Sequence, residues 1–246
     1  MSILMLSDAH LHGLDDPGQR DLLGFLGAVD FEELVIVGDL FDVWWAIDGS
    51  VPIDAVPVLA AFHERVGAGV PVTWIAGNHD WAPGVSELGI TVAPSWTREV
   101  GGRRMLAVHG DRGVDPSLRN RSMYRALRSR SVQRVGRALG TQRVRTLGRV
   151  LSGWSRRQSG GPEAGLRRQL RLADQLLERT ADVVFVGHTH CPGRLERPSG
   201  QLVNLGDWVE HRSYARVSEA GVELYRWTGE ETPIPAGPPQ RWPWVG

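Results

Sequence analysis

The stretch Leu34-Val35-Ile36-Val37-Gly38-Asp39-Leu40-Phe41-Asp42 decides the fold of this 246-residue chain. Its first four residues are apolar and mostly β-branched, which is typical of a buried strand, and a glycine and a carboxylate follow at once. Four other apolar runs are also followed directly by glycine or a polar residue: Ile3–Leu6, Val72–Ala76, Met105–Val108 and Val183–Val186. We therefore expect five buried strands, each ending in a polar loop.

Helical patterns separate several of these runs. In Gln19–Val29 and Asp54–Gly67 apolar residues recur at three and four positions, which is the period of an amphipathic helix. Alternating strands and helices predict an α/β fold, here a layered β-sheet sandwich flanked by helices. Near the end of the chain, Gln201–Leu205, Tyr214–Val217 and Val222–Trp227 have no helix between them, so we expect them to add antiparallel strands.

The five polar loops carry residues that suit a pair of divalent ions. The loops are Ser7-Asp8-Ala9-His10, Gly38-Asp39-Leu40-Phe41-Asp42, Gly77-Asn78-His79-Asp80, His109-Gly110-Asp111 and Gly187-His188-Thr189-His190. Carboxylate, amide and imidazole ligands together favour manganese, iron or zinc, and the lack of paired cysteines argues against a closed structural zinc site. One such tripeptide would be a weak signal, but five in order, each after a strand, form a strong one.

The composition sets further limits. The formal net charge is zero, all 28 basic residues are arginine, and Cys191 is the single cysteine, so an internal disulfide is excluded and a reducing compartment is expected. The N-terminus has no basic region before its apolar run, and no apolar run approaches the ~20 residues that span a bilayer. These features predict a soluble cytoplasmic protein.

A basic segment interrupts the pattern. Residues 117–158 contain twelve arginines and no acidic residue, and their apolar residues recur at helical spacing. We expect an inserted helical lid over residues 117–180, a core formed by residues 1–116 and 181–228, and an irregular tail over residues 229–246. The apolar stripe of the lid consists of Leu127, Val135, Leu139, Val144, Leu147, Leu151 and Trp154.

The ordered motifs resemble those of the calcineurin-like metallophosphoesterase superfamily. The resemblance implies that Asp39 bridges two ions, most commonly Mn²⁺ with Fe²⁺ or Zn²⁺ as alternatives. One ion would also be bound by Asp8, His10 and His190, and the other by Asn78, His109 and His188. Two ions about 3.5–4 Å apart can activate a water and hold the phosphoryl oxygens during in-line attack, and a bound water then ionises near pH 7.

The resemblance also implies roles for residues around the ions. His79 would face the substrate and protonate the leaving oxygen or stabilise charge in the transition state, with Asp80 holding its other ring nitrogen. Asp42 would orient a ligand. Trp44, Trp45 and Trp81 follow ligand motifs and are predicted to wall the cleft.

Within the superfamily, three stretches look like the UDP-2,3-diacylglucosamine pyrophosphatases of lipid A biosynthesis. They are Ser7–Leu11, Gly38–Trp44 and Leu202–Trp208. This similarity implies hydrolysis of the substrate's pyrophosphate to UMP and 2,3-diacylglucosamine 1-phosphate, and peripheral contact with the inner membrane surface. The lid would contact the substrate through Arg156, Arg157, Trp154 and Leu151, since arginine binds phosphate oxygens and the apolar stripe suits acyl chains.

Other substrates stay open at this point. The third motif is Gly-Asn-His-Asp (Gly77–Asp80), whereas that branch has Gly-Asn-Arg-Asp, so the substrate could be another lipid-linked or nucleotide diphosphate. A nucleic-acid phosphodiesterase would use the arginines on a phosphate backbone, but only Tyr124 and Trp154 could stack on bases in the basic segment. A non-catalytic scaffold would be expected to lack a ligand, and none is missing. No obligate protein partner is inferred.

Overall fold

The computed structural model describes residues 2–45, 51–82, 84–111, 134–135 and 161–236. Two mixed sheets, a two-stranded pair and three helices account for most of the regular structure of these residues, together with two short 3₁₀ turns and helical residues at 111 and 134–135. The described part of the basic insertion consists of Arg134 and Val135, which are exposed, and the helix at its end. The rest of the predicted lid lies outside the described residues.

The first sheet has seven strands in the order β14-β13-β12-β1-β2-β4-β6. The strands β1, β2, β4 and β6 run parallel to one another. Beyond β1 the sheet continues through three antiparallel pairings, of β12 with β1, β13 with β12 and β14 with β13. The strands are β1 (Ile3–Leu6), β2 (Glu33–Val37), β4 (Val72–Ile75), β6 (Thr91–Ala93), β12 (Ser213–Ser218), β13 (Gly221–Trp227) and β14 (Glu231–Ile234).

The second sheet has five strands in the order β10-β11-β9-β8-β7. Its three central strands are parallel and its two edge strands are antiparallel to them. The strands are β7 (Trp96–Val100), β8 (Arg103–Ala107), β9 (Val183–Val186), β10 (Gly193–Arg197) and β11 (Gly200–Asn204). A separate parallel pair is formed by β3 (Trp44–Trp45) and β5 (Asp80–Ala82).

Alternating side chains of the parallel strands build two apolar layers. Ile3 and Met5 of β1 join side chains of the second sheet between the two sheets, whereas Leu4 and Leu6 face helices α1 (Pro17–Ala28) and α2 (Val56–Gly67) on the outer side. Period-two alternation with both faces apolar is what a strand buried on both sides requires. The layers are thus helices, first sheet, second sheet and helix.

The third helix, α3 (Gly161–Arg179), covers the outer face of the second sheet. Its buried residues Leu166, Leu170, Ala173 and Leu177 pack with Val184, Val186 and Leu202 of the sheet. These four positions follow the helical period, so one stripe of α3 is buried against β9 and β11. The end of the insertion predicted for residues 117–180 therefore belongs structurally to the core.

The main α/β architecture was predicted correctly, and two details were wrong. Gln201–Leu205 was expected among antiparallel additions, but β11 enters the second sheet parallel to β9, with an antiparallel partner only in β10. The tail was expected to be irregular from residue 229, but Glu231–Ile234 pair with β13 as β14.

Among the described residues, none of the helices has the length and apolar character that crossing a membrane requires.

Candidate metal centre

The five polar loops converge because the strands that precede them are parallel within each sheet. Backbone hydrogen bonds join the first two loops directly, from Asp8 N–H to Gly38 O and from His10 N–H to Asp39 O, both 3.0 Å. In the second sheet, Gly187 N–H donates to His109 O at 3.0 Å. The two halves meet where His188 N–H donates to Asp8 Oδ2 at 2.7 Å.

Most of the expected metal ligands have an unusual backbone conformation. Six described non-glycine residues have positive φ, and five of them are expected ligands: Asp8 (52°), His10 (44°), Asp39 (52°), His188 (67°) and His190 (53°). The left-handed region is uncommon for residues with a side chain and costs on the order of 1–3 kcal/mol at each position. This concentration of strain indicates that the loops are shaped for the positions of their side chains.

One ligand cluster consists of Asp8, His10 and His190, whose donor atoms lie within 4.8 Å of one another. Asp8 is fully buried, and its Oδ1 lies 3.3 Å from His190 Nε2 and 3.7 Å from His10 Nε2. Burial alone would raise the pKa of Asp8, but the charge of His109 and the nearby imidazoles of His10 and His190 hold it well below its usual range. This cluster therefore presents an ionised carboxylate between two imidazoles.

The second cluster consists of Asp39, His109 and His188, again with donor atoms within 4.8 Å. His109 is buried, and its Nδ1 lies 2.9 Å from Val37 O, so a proton on Nδ1 would be donated to that carbonyl. Its Nε2 then faces Asp39 Oδ2 at 3.3 Å and Asn78 Oδ1 at 3.1 Å. A backbone carbonyl on one ring nitrogen is the usual way of orienting the other toward a metal.

Asp39 lies between the two clusters. Its Oδ2 is 3.3 Å from His109 Nε2 in one cluster and 4.0 Å from His10 Nε2 in the other. Burial would raise the pKa of Asp39, but the charges of His109 and His79 outweigh burial and lower it. Conversely, burial would lower the pKa of His109, whereas the charges of Asp39 and Asp8 raise it well above its ordinary value. Asp39 therefore faces an imidazole of each cluster.

The donor set meets the requirements of a pair of dications. Asp8 Oδ1 and His10 Nδ1 are buried and accept or donate no hydrogen bond among the described residues, which is costly for polar atoms without another partner. Two carboxylates, one amide oxygen and four imidazoles converge here, a mixture that suits manganese, iron or zinc. All seven ligands expected from the sequence belong to this group of loops.

Two glycines allow the loops to approach so closely. A Cβ at Gly77 would lie 2.1 Å from Asp39 Oδ1, and one at Gly187 would lie 2.4 Å from Asp8 Oδ2. Both distances are shorter than any real side-chain contact, so only glycine fits beside each carboxylate.

His79 lies beside the clusters, but one of its expected contacts is wrong. Its Nδ1 is 2.5 Å from the backbone oxygen of Asp42, and its Nε2 lies 3.9 Å from Asp39 Oδ2. Asp80, which was expected to hold the ring, instead accepts hydrogen bonds through Oδ2 from Trp74 Nε1 (3.0 Å) and Leu40 N–H (3.2 Å). The Asp80 carboxylate is fully buried, and its partner Trp74 belongs to the outer apolar layer.

The environment of Asp80 changes its acidity. Burial and then the charge of Asp39 raise the pKa of Asp80 to about 7, against the two hydrogen bonds it accepts. Its contacts brace the loop that carries Leu40, next to Asp39, from inside the core. Asp80 is thus a structural support of the site and not a partner of the His79 ring.

Trp44 does not line the cleft, and the side chains of most of the other residues predicted to line it lie outside the described residues. Trp44 was expected to wall the cleft, but it is 1% exposed and packs against Phe41 and Trp74 in the outer apolar layer. The side chains of Trp45 and Trp81 lie outside the described residues, as do the expected substrate contacts Leu151, Trp154, Arg156 and Arg157. Asp42 lies with His10 and His79 in a third group of potential donor atoms, consistent with an orienting role.

A buried polar network, which the sequence patterns did not predict, lies behind the last ligand loop. Gln169 of α3 is fully buried and contacts both Gly187 and Thr189, and Asn204 completes the network. The sequence feature that could have indicated this network is Gln169 itself, which lies on the apolar face of a predicted helix between Leu166 and Leu170. A polar residue on such a face requires buried partners.

Comparisons with known proteins identify the family to which the sequence is similar. The sequence profile of the Calcineurin-like phosphoesterase family matches residues 1–192. The UDP-2,3-diacylglucosamine hydrolase of Pectobacterium carotovorum is 28% identical over 244 residues, covering 91% of this chain and 98% of its own length. The enzyme of that name from Sodalis glossinidius is 28% identical over 237 residues, covering 93% of this chain and 99% of its own.

A solved structure supports the fold. YfcE, a phosphoesterase from E. coli, superposes with a TM-score of 0.53 at 16% identity, covering 96% of this chain and 97% of that one. At this level of identity the likeness concerns the arrangement of sheets and helices.

Proposed function

Because the chain belongs to the calcineurin-like phosphoesterase family, we propose that this metal-dependent phosphoester hydrolase cleaves the pyrophosphate of UDP-2,3-diacylglucosamine. The products would be UMP and 2,3-diacylglucosamine 1-phosphate. The observation that carries the proposal is similarity over more than nine-tenths of both chains to enzymes named for this substrate. A complete set of ligands at the site supports the hydrolytic chemistry.

The first role of the site residues would be to bind the metal ions. The ionised carboxylates of Asp8 and Asp39 and the surrounding imidazoles would hold two ions, which when bound supply an activated water and neutralise charge on the phosphoryl oxygens. Asp39 would be shared between them, since it faces ligands of both clusters. We propose Mn²⁺, because a mixture of hard oxygens and borderline nitrogens suits it, with Fe²⁺ and Zn²⁺ as alternatives.

His79 would assist departure of the leaving group. The Asp42 carbonyl and the hydrogen bond from His79 N–H to Asp39 Oδ1 (2.8 Å) fix the residue on both its ring and its backbone. With a proton on Nδ1 directed at that carbonyl, a second proton on Nε2 would be directed toward the clusters. An imidazolium in this position can donate to a leaving oxygen or stabilise negative charge in the transition state.

An apolar rim supports a lipid substrate and contact with a membrane surface. Seven large apolar side chains are exposed among the described residues: Leu14, Val51, Ile53, Val56, Val92, Val135 and Val209. Five of them lie in loops or at a helix start: Leu14 follows β1, Val51 and Ile53 follow β3, Val56 begins α2 and Val209 follows β11. These segments leave the carboxyl ends of parallel strands, the edge where the metal ligands lie. We call these five residues the apolar rim.

The insertion would provide the remaining substrate contacts. We propose that Arg156 and Arg157 bind the phosphates or the anionic head group, and that Leu151 and Trp154 line the path of an acyl chain. Leu151→Ser and Trp154→Ser should then lower the preference for acylated substrate without changing hydrolysis of bis(p-nitrophenyl) phosphate.

A substrate panel tests the proposed function. Purified protein with Mn²⁺ is assayed on UDP-2,3-diacylglucosamine, UDP-N-acetylglucosamine, cyclic nucleotides and single-stranded DNA. We expect UMP release from the diacylated substrate and a strong preference for it, since each buried methylene contributes ~0.8 kcal/mol. Equal rates with the unacylated compound would point to another nucleotide diphosphate, and activity confined to DNA would overturn the lipid assignment.

A further inference from the structure

The turn that carries the last two ligands is held from behind by α3. Gln169, fully buried on this helix, donates from Nε2 to Gly187 O at 2.6 Å. Its Oε1 accepts from Thr189 Oγ1 at 2.8 Å, so one side chain binds both sides of His188. His190 follows Thr189 directly in the chain. The amide thus spans the turn from which both imidazoles project.

The network around Gln169 is closed. Asn204 Nδ2 lies 2.9 Å from Gln169 Oε1 and 2.7 Å from Thr189 Oγ1, and Asn204 Oδ1 accepts from Gly206 N–H at 2.9 Å. Since Gln169 and Asn204 are both fully buried, water does not compete for these bonds. The turn is therefore fixed to the end of β11 as well as to α3.

Gln169 also lies close to the loop of His109. A Cβ at Gly110 would lie 3.1 Å from Gln169 Nε2, and Gly187 N–H donates to His109 O at 3.0 Å. The Gly187 peptide is thereby held on both sides, by His109 at its N–H and by Gln169 at its carbonyl. Left-handed φ values of 67° at His188 and 53° at His190 need surroundings that over-determine the backbone.

We infer that Gln169 is a positioning residue for the metal centre, which sets the orientation of His188 and His190 through the Gly187–Thr189 turn. This inference rests on the dinuclear centre of the proposed function. It adds that the last helix of the insertion contributes to metal affinity, and not only to substrate binding.

Metal titration of two variants tests the inference. Gln169→Met keeps the length of the side chain and removes both hydrogen-bonding groups, and Thr189→Val removes only the hydroxyl link. Each protein is stripped with chelator, dialysed and titrated with Mn²⁺ by calorimetry. We expect Gln169→Met to bind Mn²⁺ about 10–100-fold more weakly, as is usual when a partner of a metal ligand is removed, and Thr189→Val to lose less.

A matched control separates positioning from general stability. Gln19 is also a buried glutamine on a helix, 2% exposed, but it lies on α1 against the first sheet. Gln19→Met should leave Mn²⁺ affinity unchanged whatever its effect on the melting temperature. A double variant, Gln169→Met with Thr189→Val, should lose little more affinity than Gln169→Met alone, because the two changes break one network.

The outcomes distinguish this inference from the proposed function. Wild-type Mn²⁺ affinity in a folded Gln169→Met protein, or in Thr189→Val if Gln169→Met does not fold, would overturn the inference while leaving the enzyme assignment intact. A wild-type protein that binds none of Mn²⁺, Fe²⁺ and Zn²⁺ would overturn the dinuclear centre itself. Neither result depends on which phosphoester is the substrate.

Discussion

His79 shows how much of the chemistry depends on one side chain beside the ions. Its ring is held by a backbone carbonyl and its Nε2 lies 3.9 Å from Asp39 Oδ2. It is not among the seven expected ligands, so its loss should affect turnover and not the number of bound ions.

Replacing His79 tests that separation. His79→Ala should lower turnover of bis(p-nitrophenyl) phosphate about 10²–10⁴-fold, the usual contribution of a general acid, with two metal ions retained per chain. The measurements are steady-state kinetics and elemental analysis of the same preparation. Loss of an ion from His79→Ala would mean that His79 is a ligand. His79→Arg introduces the residue of the specialised branch and should restore part of the activity on a diphosphate.

Gly77 makes a second prediction at the residue scale. Gly77→Ala would place a Cβ 2.1 Å from Asp39 Oδ1 and must displace the carboxylate shared by the two clusters. We expect weaker metal binding and at least a 10²-fold lower turnover, on the order of the loss caused by misplaced catalytic groups. Gly27→Ala in α1 is the control, since nothing lies within 4 Å of its Cβ, and it should keep full activity. Normal turnover in Gly77→Ala would contradict the described packing.

At the scale of elements, strands and their loops determine the site. The convergence of the seven candidate ligands was predictable from the sequence because each follows an apolar run, and parallel strands bring their carboxyl ends together. The partner of the His79 ring was not predictable, since adjacency of His79 and Asp80 in the chain does not show that the Asp80 carboxylate binds Trp74 and Leu40 inside the core. The role of Gln169 was also hidden, because it depends on how α3 lies across the second sheet.

The contact between the two sheets contains a buried carboxylate that makes a prediction about stability. Glu33 of β2 is 3% exposed and accepts a hydrogen bond from Trp96 Nε1 of β7 at 2.7 Å, and Arg98 pairs with its other oxygen. Arg98→Ala should lower the free energy of unfolding by about 1–3 kcal/mol, because it leaves a buried charge with one partner fewer. Urea denaturation measures this change.

The control for Arg98 is an exposed ion pair in the second sheet. Arg104 and Asp182 are bonded at 3.0 Å on the surface, where solvent screens them, so Arg104→Ala should change stability much less. An equal loss of stability in both variants would show that burial of Glu33 does not determine how much its ion pair contributes to the free energy of unfolding.

At the scale of the whole molecule, the apolar rim and the metal centre lie on the same edge. Under the proposed function, this edge of the protein would take a lipid substrate from a membrane surface. Ile53→Ser combined with Val209→Ser should weaken co-sedimentation with phosphatidylglycerol-containing vesicles at least tenfold. Full burial of each side chain would contribute on the order of 1.5–3 kcal/mol, so that even partial insertion of the pair exceeds the ~1.4 kcal/mol that corresponds to a factor of ten. Val92→Ser, at an exposed position on β6, should leave vesicle binding unchanged. Equal binding by all the proteins would remove the rim from the account.

The central proposal is that the two clusters, with Asp39 shared between them, would hold the two ions on which hydrolysis depends. The most direct measurement is turnover of bis(p-nitrophenyl) phosphate as stripped protein is reconstituted with Mn²⁺, for the wild type and for Asp39→Asn. We predict no turnover after chelation, full recovery at two ions per chain, and at least a 10²-fold lower turnover in Asp39→Asn at every Mn²⁺ concentration, with unchanged circular dichroism. Full activity in excess chelator, or in Asp39→Asn, would contradict the account.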